Sequence, residues 1–346
     1  MSILKWLLFP ITLLYGFVTS FRNYLFDIGY KKSFEFDANV IGVGNLTVGG
    51  TGKSPMVEYI IRLLGKDYKL ATLSRGYGRK TKGFRIAQDN DNANTIGDEP
   101  YQFFQKFNEV TITVGEERAV AIPHILAEVG PDVIIMDDSY QHRYVKPSLN
   151  ILLCDYTRPF YRDMILPSGR LRESRKGATR ADAIVVTKCP TEISRKERKT
   201  IENELMTYSN APILFSSIKY LAPKAVGRVE MEFKGDVLLF TGLANPKPFT
   251  EYISTNFNLV DDIYFPDHHP YTIKDINTIE ERYRQISAED KCIITTEKDM
   301  VKLLSEELKG SIEHWPLFYL PIELQFIENG NIFDSLVLES IKTYSN

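Results

Sequence analysis

From residue 38 onward the chain alternates short apolar runs with amphipathic stretches. Val40–Val43, Leu70–Leu73, Val110–Val114, Val133–Met136, Ile151–Leu153 and Ala183–Val186 are apolar or nearly so. Runs of this length and character predict strands covered on both faces, as in parallel sheets. Val237–Phe240, Val260–Phe265 and Cys292–Thr295 continue the series of strands toward the C-terminus. Pro55 opens a stretch with Val57, Ile60, Ile61 and Leu64 at the i, i+3, i+4, i+7 spacing of an amphipathic helix, and Gly65 punctuates its end. This alternation predicts an α/β fold with a doubly wound, mostly parallel sheet.

The first residues depart from that pattern. No side chain from Trp6 to Phe21 is charged, and Leu7, Leu8, Phe9, Ile11, Leu13, Leu14, Phe17 and Val18 fill the run. It falls short of the ~20 residues of a spanning helix, and Pro10 and Gly16 are expected to interrupt it. Ser20-Phe21-Arg22 is a poor signal-peptide cleavage site. Lys5, Arg22, Lys31 and Lys32 together with Trp6, Tyr15 and Tyr24 instead predict an interfacial, membrane-associated helix over 1–32, with packing on the protein's own core as the competing reading. A second boundary is expected between Ile218 and Asp236, where Pro223, Gly227 and the alternating Val229-Glu230-Met231-Glu232-Phe233 resemble a hairpin linker. The expected division is a helix over 1–32, a larger α/β domain over 33–225 and a smaller C-terminal α/β domain over 226–346. A ligand site is expected in the cleft between the last two.

Composition narrows the partners. The 346 residues are 43% hydrophobic and 25% charged, enough for a buried core. A formal net charge of -3 with both signs interspersed argues against a nucleic-acid partner. Cys154, Cys189 and Cys292 lie far apart without metal-ligand spacing and suit buried thiols in a reducing compartment.

Between the first strand and the first core helix runs Thr47-Val48-Gly49-Gly50-Thr51-Gly52-Lys53-Ser54. Strand, glycine-rich loop, Gly-Lys-Ser and helix form the context of a phosphate loop, and the fold is expected to be P-loop NTPase-like. Gly49, Gly50, Thr51, Gly52, Lys53 and Ser54 are the candidate nucleotide contacts: backbone N–H groups and Lys53 for the phosphates, Ser54 for Mg²⁺. Thr47 stands where the full pattern has glycine. Val133–Met136 ends in Asp137-Asp138, where such proteins place a carboxylate for Mg²⁺; either aspartate suits that role. Asp98, in Gly97-Asp98-Glu99-Pro100, suits both a helix N-cap and a general base for a hydroxyl proton. Arg75 and Arg79, and Arg172 in Leu166–Glu173, suit phosphate recognition from flexible loops. In Pro266-Asp267-His268-His269-Pro270 a carboxylate adjoins two imidazoles, and the absence of further ligands at zinc spacing argues against a metal there. Thr187-Lys188-Cys189-Pro190 has proline where a guanine-reading loop carries aspartate, which favours ATP over GTP.

Taken in order, these motifs resemble the tetraacyldisaccharide 4'-kinase family of lipid A synthesis. The resemblance rests on Gly44–Pro55, Leu73–Arg79, Gly97–Pro100, Asp137-Asp138 with Gln141-His142, Leu166–Glu173, Thr241–Pro246, Phe265–His269 and Thr295–Asp299, and spans about residues 1 to 325. It implies Mg-ATP-dependent phosphorylation of the 4'-hydroxyl of an acylated glucosamine disaccharide 1-phosphate at the cytoplasmic face of the bacterial inner membrane. It implies Asp98 as base assisted by a histidine, His268 or its neighbour His269, and adds Gln141, His142, Glu173 and Asp267 to the substrate or metal surroundings. Ser139-Tyr140 stands where the family often has a glycine after the paired aspartates. A dimeric membrane ATPase switch and a non-catalytic nucleotide-binding scaffold are the alternatives. Val48 in place of the switch's signature lysine counts against the first, and phosphoryl transfer to lipid would exclude the second.

Overall fold

The computed structural model describes residues 3–226, 232–267 and 269–342. Its strands are β1 (Asn39–Asn45), β2 (Leu70–Ser74), β3 (Arg85–Ile86), β4 (Thr111–Val114), β5 (Val133–Met136), β6 (Leu149–Asp155), β7 (Ala183–Thr187), β8 (Ile213–Tyr220), β9 (Lys224–Ala225), β10 (Asp236–Thr241), β11 (Asn258–Tyr264), β12 (Lys291–Thr296), β13 (Leu317–Leu320) and β14 (Ile322–Phe326). The α-helices are α1 (Ile3–Asp27), α2 (Lys53–Leu64), α3 (Ala93–Ile96), α4 (Asp98–Lys106), α5 (Arg118–Glu128), α6 (Arg195–Leu205), α7 (Lys247–Asn256), α8 (Ile273–Gln285), α9 (Glu297–Leu303), α10 (Glu306–Ile312) and α11 (Gly330–Glu339).

Two sheets organise these elements. The larger runs β14-β8-β7-β6-β1-β5-β2-β4-β3, and the smaller β11-β10-β12-β13-β9. β1 is buried along its whole length and lies parallel to β5 on one side and β6 on the other. The chain leaves β1 toward β2 in one direction and reaches β6 in the other, so a crevice opens beyond the carboxyl ends of these strands. Every expected parallel strand is present: the central runs are buried along their length, while β11 at the edge of the smaller sheet leaves Val260 and Tyr264 exposed. α2 buries Met56, Val57, Ile60, Ile61 and Leu64 against Ile41, Val43, Val133, Ile135 and Ile151. Each such side chain contributes about 1.5–3 kcal/mol on full burial, which fixes α2 and the loop preceding it.

Two expectations need correction. The segment 226–346 does not stay with the smaller sheet: β14 pairs antiparallel with β8, and Phe333 and Val337 of α11 complete the core around Ile41 and Val57. The smaller unit is thus inserted between β8 and β14. Conversely β9, just before the expected boundary, pairs with β13 of the smaller sheet. Residues 227–231 of the expected hairpin linker lie outside the described residues. The second correction concerns α1, which continues through Pro10 and Gly16 as one helix of 25 residues.

α1 turns its polar side inward. The Thr12 hydroxyl donates to Ser168 Oγ at 2.7 Å, Tyr15 to the Arg172 carbonyl at 3.1 Å and Arg22 to the Gln141 carbonyl at 2.9 Å. Asn23 donates to Glu173 at 2.6 Å. Ile11, Leu13, Leu14, Phe17, Val18 and Phe21 face outward, with Leu14 65% and Phe17 68% exposed. No helix among the described residues is long and apolar enough to cross a membrane.

The two units meet through apolar and charged contacts. Ile96, Tyr101 and Val114 of the larger unit share a core with Leu238, Phe240, Ile276 and Met300 of the smaller. Beside them Lys106 Nζ lies 2.7 Å from Glu58 of α2 and 2.8 Å from Glu297 of α9.

Candidate active site

The loop between β1 and α2 turns on two left-handed glycines, Gly49 (φ 106°) and Gly52 (φ 85°), a conformation that strains any residue with a Cβ. A Cβ built on Gly49 or Gly50 meets nothing within 4 Å, so the space beside the loop is open. α2 begins at Lys53 and turns its positive end toward the loop. The loop is pinned from below. Asn45 Nδ2 donates to Thr51 Oγ1 at 2.7 Å, and the Thr187 hydroxyl donates to the Thr51 carbonyl at 2.8 Å. Lys188 bridges the Gly50 carbonyl and Asp155.

Asp137 and Asp138 follow β5, immediately beside this loop. Asp138 sits at φ 47°, an unusual value for a non-glycine residue, and takes a two-pronged contact from Arg172 at 2.8 and 3.2 Å. Lys53 Nζ lies 3.6 Å from the same carboxylate. Burial works against the Asp138 charge, but Lys53 and Arg172 outweigh it and hold the carboxyl below the usual carboxylate range. Asp137 is buried, and its Oδ1 has no hydrogen-bond partner among the described residues. Burial pushes its carboxyl up to about 7, against the pull of Lys53, while the Asp138 and Glu99 charges push the same way as burial. An orphaned buried carboxylate oxygen beside a second carboxylate, with Ser54 following Lys53 in the first turn of α2, is the oxygen-rich kind of donor set that Mg²⁺ takes, usually with one or two carboxylates and the phosphates of a bound nucleotide. Among the described residues no cluster of three or more His, Cys, Asp or Glu side chains suits a metal held by protein alone.

Asp98 is the first residue of α4, and the N-cap is Gly97 (φ 97°), so the capping role open to Asp98 falls to its neighbour. Its Oδ2 lies 3.8 Å from Lys302 Nζ, across the junction of the two units. Glu99, the next residue, is close enough for its charge to act on Asp137.

The other expected contacts divide into two groups. Arg75 is exposed on the loop after β2. Half-buried His142 is pushed down to about 4 by burial and by the Arg118 guanidinium, and is neutral near pH 7. The remaining side chains are occupied. Arg79 turns inward to Glu116 and the Gly83 carbonyl, both at 2.6 Å. Gln141 donates to the Asn45 carbonyl at 2.8 Å and to Glu173 at 3.1 Å, and buried Glu173 also accepts from Arg180 at 2.9 Å. His269 lies 3.1 Å from Asp275 and stacks on Phe265. Asp267 is exposed and 3.4 Å from Lys298. His268 lies outside the described residues. Sequence reasoning missed Asn45, which ties Thr51 to Arg172, and Arg118, whose buried guanidinium holds the Gly115 and Asp137 carbonyls. A polar residue closing an apolar strand was the only local signal for Asn45.

Comparison with known proteins identifies relatives along nearly the whole chain. The family model described as tetraacyldisaccharide-1-P 4'-kinase matches residues 4–342. A tetraacyldisaccharide 4'-kinase of Flavobacterium johnsoniae is 44% identical over 99% of this chain and 98% of its own. One from Phocaeicola vulgatus is 40% identical over 99% and 96%. Among solved structures, the "apo" form of LpxK from Aquifex aeolicus in complex with ATP has a TM-score of 0.77 at 29% identity, covering 98% of this chain and all of that one. On a match that runs nearly end to end, the chain belongs to the tetraacyldisaccharide-1-P 4'-kinase family.

Proposed function

We propose that this chain transfers the terminal phosphoryl group of ATP to the 4'-hydroxyl of a tetraacyldisaccharide 1-phosphate at a membrane surface. The observation that carries the reading is the juxtaposition of Lys53, Asp138 and the orphaned oxygen of Asp137 beside an open glycine loop. The relatives' names supply the acceptor, and the ATP complex of the related structure supports the donor.

Lys53 and the loop N–H groups hold the phosphates and balance charge spreading over the transferred group. Ser54 with Asp137 or Asp138 would hold Mg²⁺, which supplies further neutralisation of the phosphate oxygens when bound. Asp98 takes the proton of the acceptor hydroxyl, whose oxygen forms the new bond to the γ-phosphorus as the bond to the bridging oxygen of ADP breaks. His268 would assist Asp98 from the smaller unit, and Arg75 and His142 would line the acceptor. Gln141, Arg172 and Glu173 act indirectly by fixing the loops that carry these groups. Seating of the smaller unit excludes water from the reacting phosphate. The outward apolar face of α1 lies in the headgroup region of the inner membrane's cytoplasmic leaflet, and its polar face joins the site loops.

The test incubates the purified protein with labelled ATP, Mg²⁺ and the acylated disaccharide 1-phosphate. Label in a lipid product is expected; ATP consumed with none in lipid would refute the assignment.

A further inference from the structure

Two motifs of the smaller unit, Thr241–Pro246 and Thr295–Asp299, have no part in the reaction described above. They converge on one carboxylate. Asp299 is fully buried at the start of α9, and its Oδ2 accepts from the Thr241 hydroxyl at 2.9 Å, the Gly242 N–H at 2.9 Å and the Thr296 hydroxyl at 2.7 Å. A Cβ on Gly242 would come within 3.1 Å of the other oxygen, so this wall is closely packed. That other oxygen lies 3.5 Å from Lys302 Nζ. Three donors therefore lock Asp299, and Asp299 in turn anchors an ammonium.

The Lys302 side chain is 7% exposed, an unfavourable place for an ammonium unless carboxylates surround it. Its charge lies against the ring of Tyr271, 5.9 Å from the centroid, and 3.8 Å from Asp98 of the larger unit. At that distance the contact is an ion pair rather than a close hydrogen bond. It can restrain the Asp98 carboxylate without itself taking the lone pair that a substrate hydroxyl needs. One turn earlier on α9, Lys298 lies 3.4 Å from Asp267, the neighbour of His268. A single short helix thus contacts both Asp98 and Asp267.

We infer that Lys302 is a positioning residue: anchored through Asp299, its ammonium aims the Asp98 carboxylate and balances its charge, so that Asp98 is a competent base only when the smaller unit is seated. The inference rests on the kinase reading and on Asp98 as base. When Asp98 takes the acceptor's proton, Lys302 keeps Asp299 as its counter-ion and no charge is stranded.

The test measures phosphoryl transfer to the lipid acceptor by the full chain and by Lys302→Met, Lys302→Arg, Asp98→Asn and the double variant Asp98→Asn/Lys302→Met. Lys302→Met is expected to lower kcat about 10²-fold through misplacement of the base, with KM for ATP unchanged, and to lower the melting temperature because buried Asp299 loses its cation. Lys302→Arg keeps the cation and should restore most of the rate. The double variant should be no slower than Asp98→Asn alone, because both changes act through one group. Multiplying losses in the double variant, or Lys302→Met at the wild-type rate beside a crippled Asp98→Asn, would overturn the role of Lys302 alone. A wild-type chain without transfer, or an active Asp98→Asn, would instead remove the reading beneath it. If Lys302→Met melts below the assay temperature, Lys302→Gln carries the same comparison.

Discussion

Lys53 is the residue on which the proposed chemistry turns, because it follows the helix-capping Gly52 and lies 3.6 Å from Asp138. Lys53→Ala removes the cation proposed to hold the transferred phosphate. Its turnover in the lipid-labelling assay should fall at least as far as that of Asp98→Ala, for which a loss of about 10²–10⁴-fold is expected from removal of a general base. His142 offers a check independent of activity. Its folded value near 4 lies below its ordinary 6.5, so the unfolded chain binds a proton that the folded chain refuses across that window. Stability supported above pH 6.5 is lost as the pH falls toward 4. Melting curves of His142→Gln should therefore decline less steeply over this range than those of the wild type. At this scale the phosphate loop was legible because Gly-Lys-Ser between a strand and a helix admits few other readings. Glu173 and Gln141 were expected near substrate, yet they bond to Asn23, Asn45 and Arg180. Asn45 lies 96 residues from Gln141 and Asn23 lies 150 from Glu173, separations that no local pattern announces.

α1 is the element whose sequence was most open to two readings, since an apolar run serves a core and a lipid surface equally well. The helix divides by direction: Thr12, Tyr15, Arg22 and Asn23 face the protein, and Leu14 and Phe17 face away, the face proposed to meet lipid. Burying the latter two in lipid is worth about 1.5–3 kcal/mol each. Leu14→Asp/Phe17→Asp should therefore weaken sedimentation with vesicles of phosphatidylethanolamine and phosphatidylglycerol by about two orders of magnitude. ATP binding in solution should be untouched, and undiminished vesicle binding would contradict the interfacial role. Strands β1, β5, β6 and β7 were legible from their apolar runs. β8 and β14 were not: β14 alternates as Ile-Glu-Leu-Gln-Phe at an edge, β8 carries Ser216 and Ser217, and each finds its partner about a hundred residues away.

The whole molecule is held together by a charged junction as well as an apolar one. Lys106 stands between Glu58 and Glu297, which are nearly inaccessible, and burial together with the Glu58 charge raises the Glu297 carboxyl above its ordinary range. Lys106→Met would leave buried Glu297 without its cation while Glu58 keeps Arg62 at 2.9 Å, a change that costs at most the ~3–5 kcal/mol of a fully unpaired buried charge. The urea midpoint should fall accordingly, and an unchanged midpoint would show the junction to be solvated. The insertion of the smaller unit between β8 and β14 has a consequence for synthesis. A ribosome delivers the whole five-stranded sheet by residue 320, while β14 and the α11 side chains that seal the larger core are still to be made. The lobe encoded in the middle can mature first. The larger half must wait, its edge unzipped and its hydrophobic lid missing, until β14 and α11 have been made.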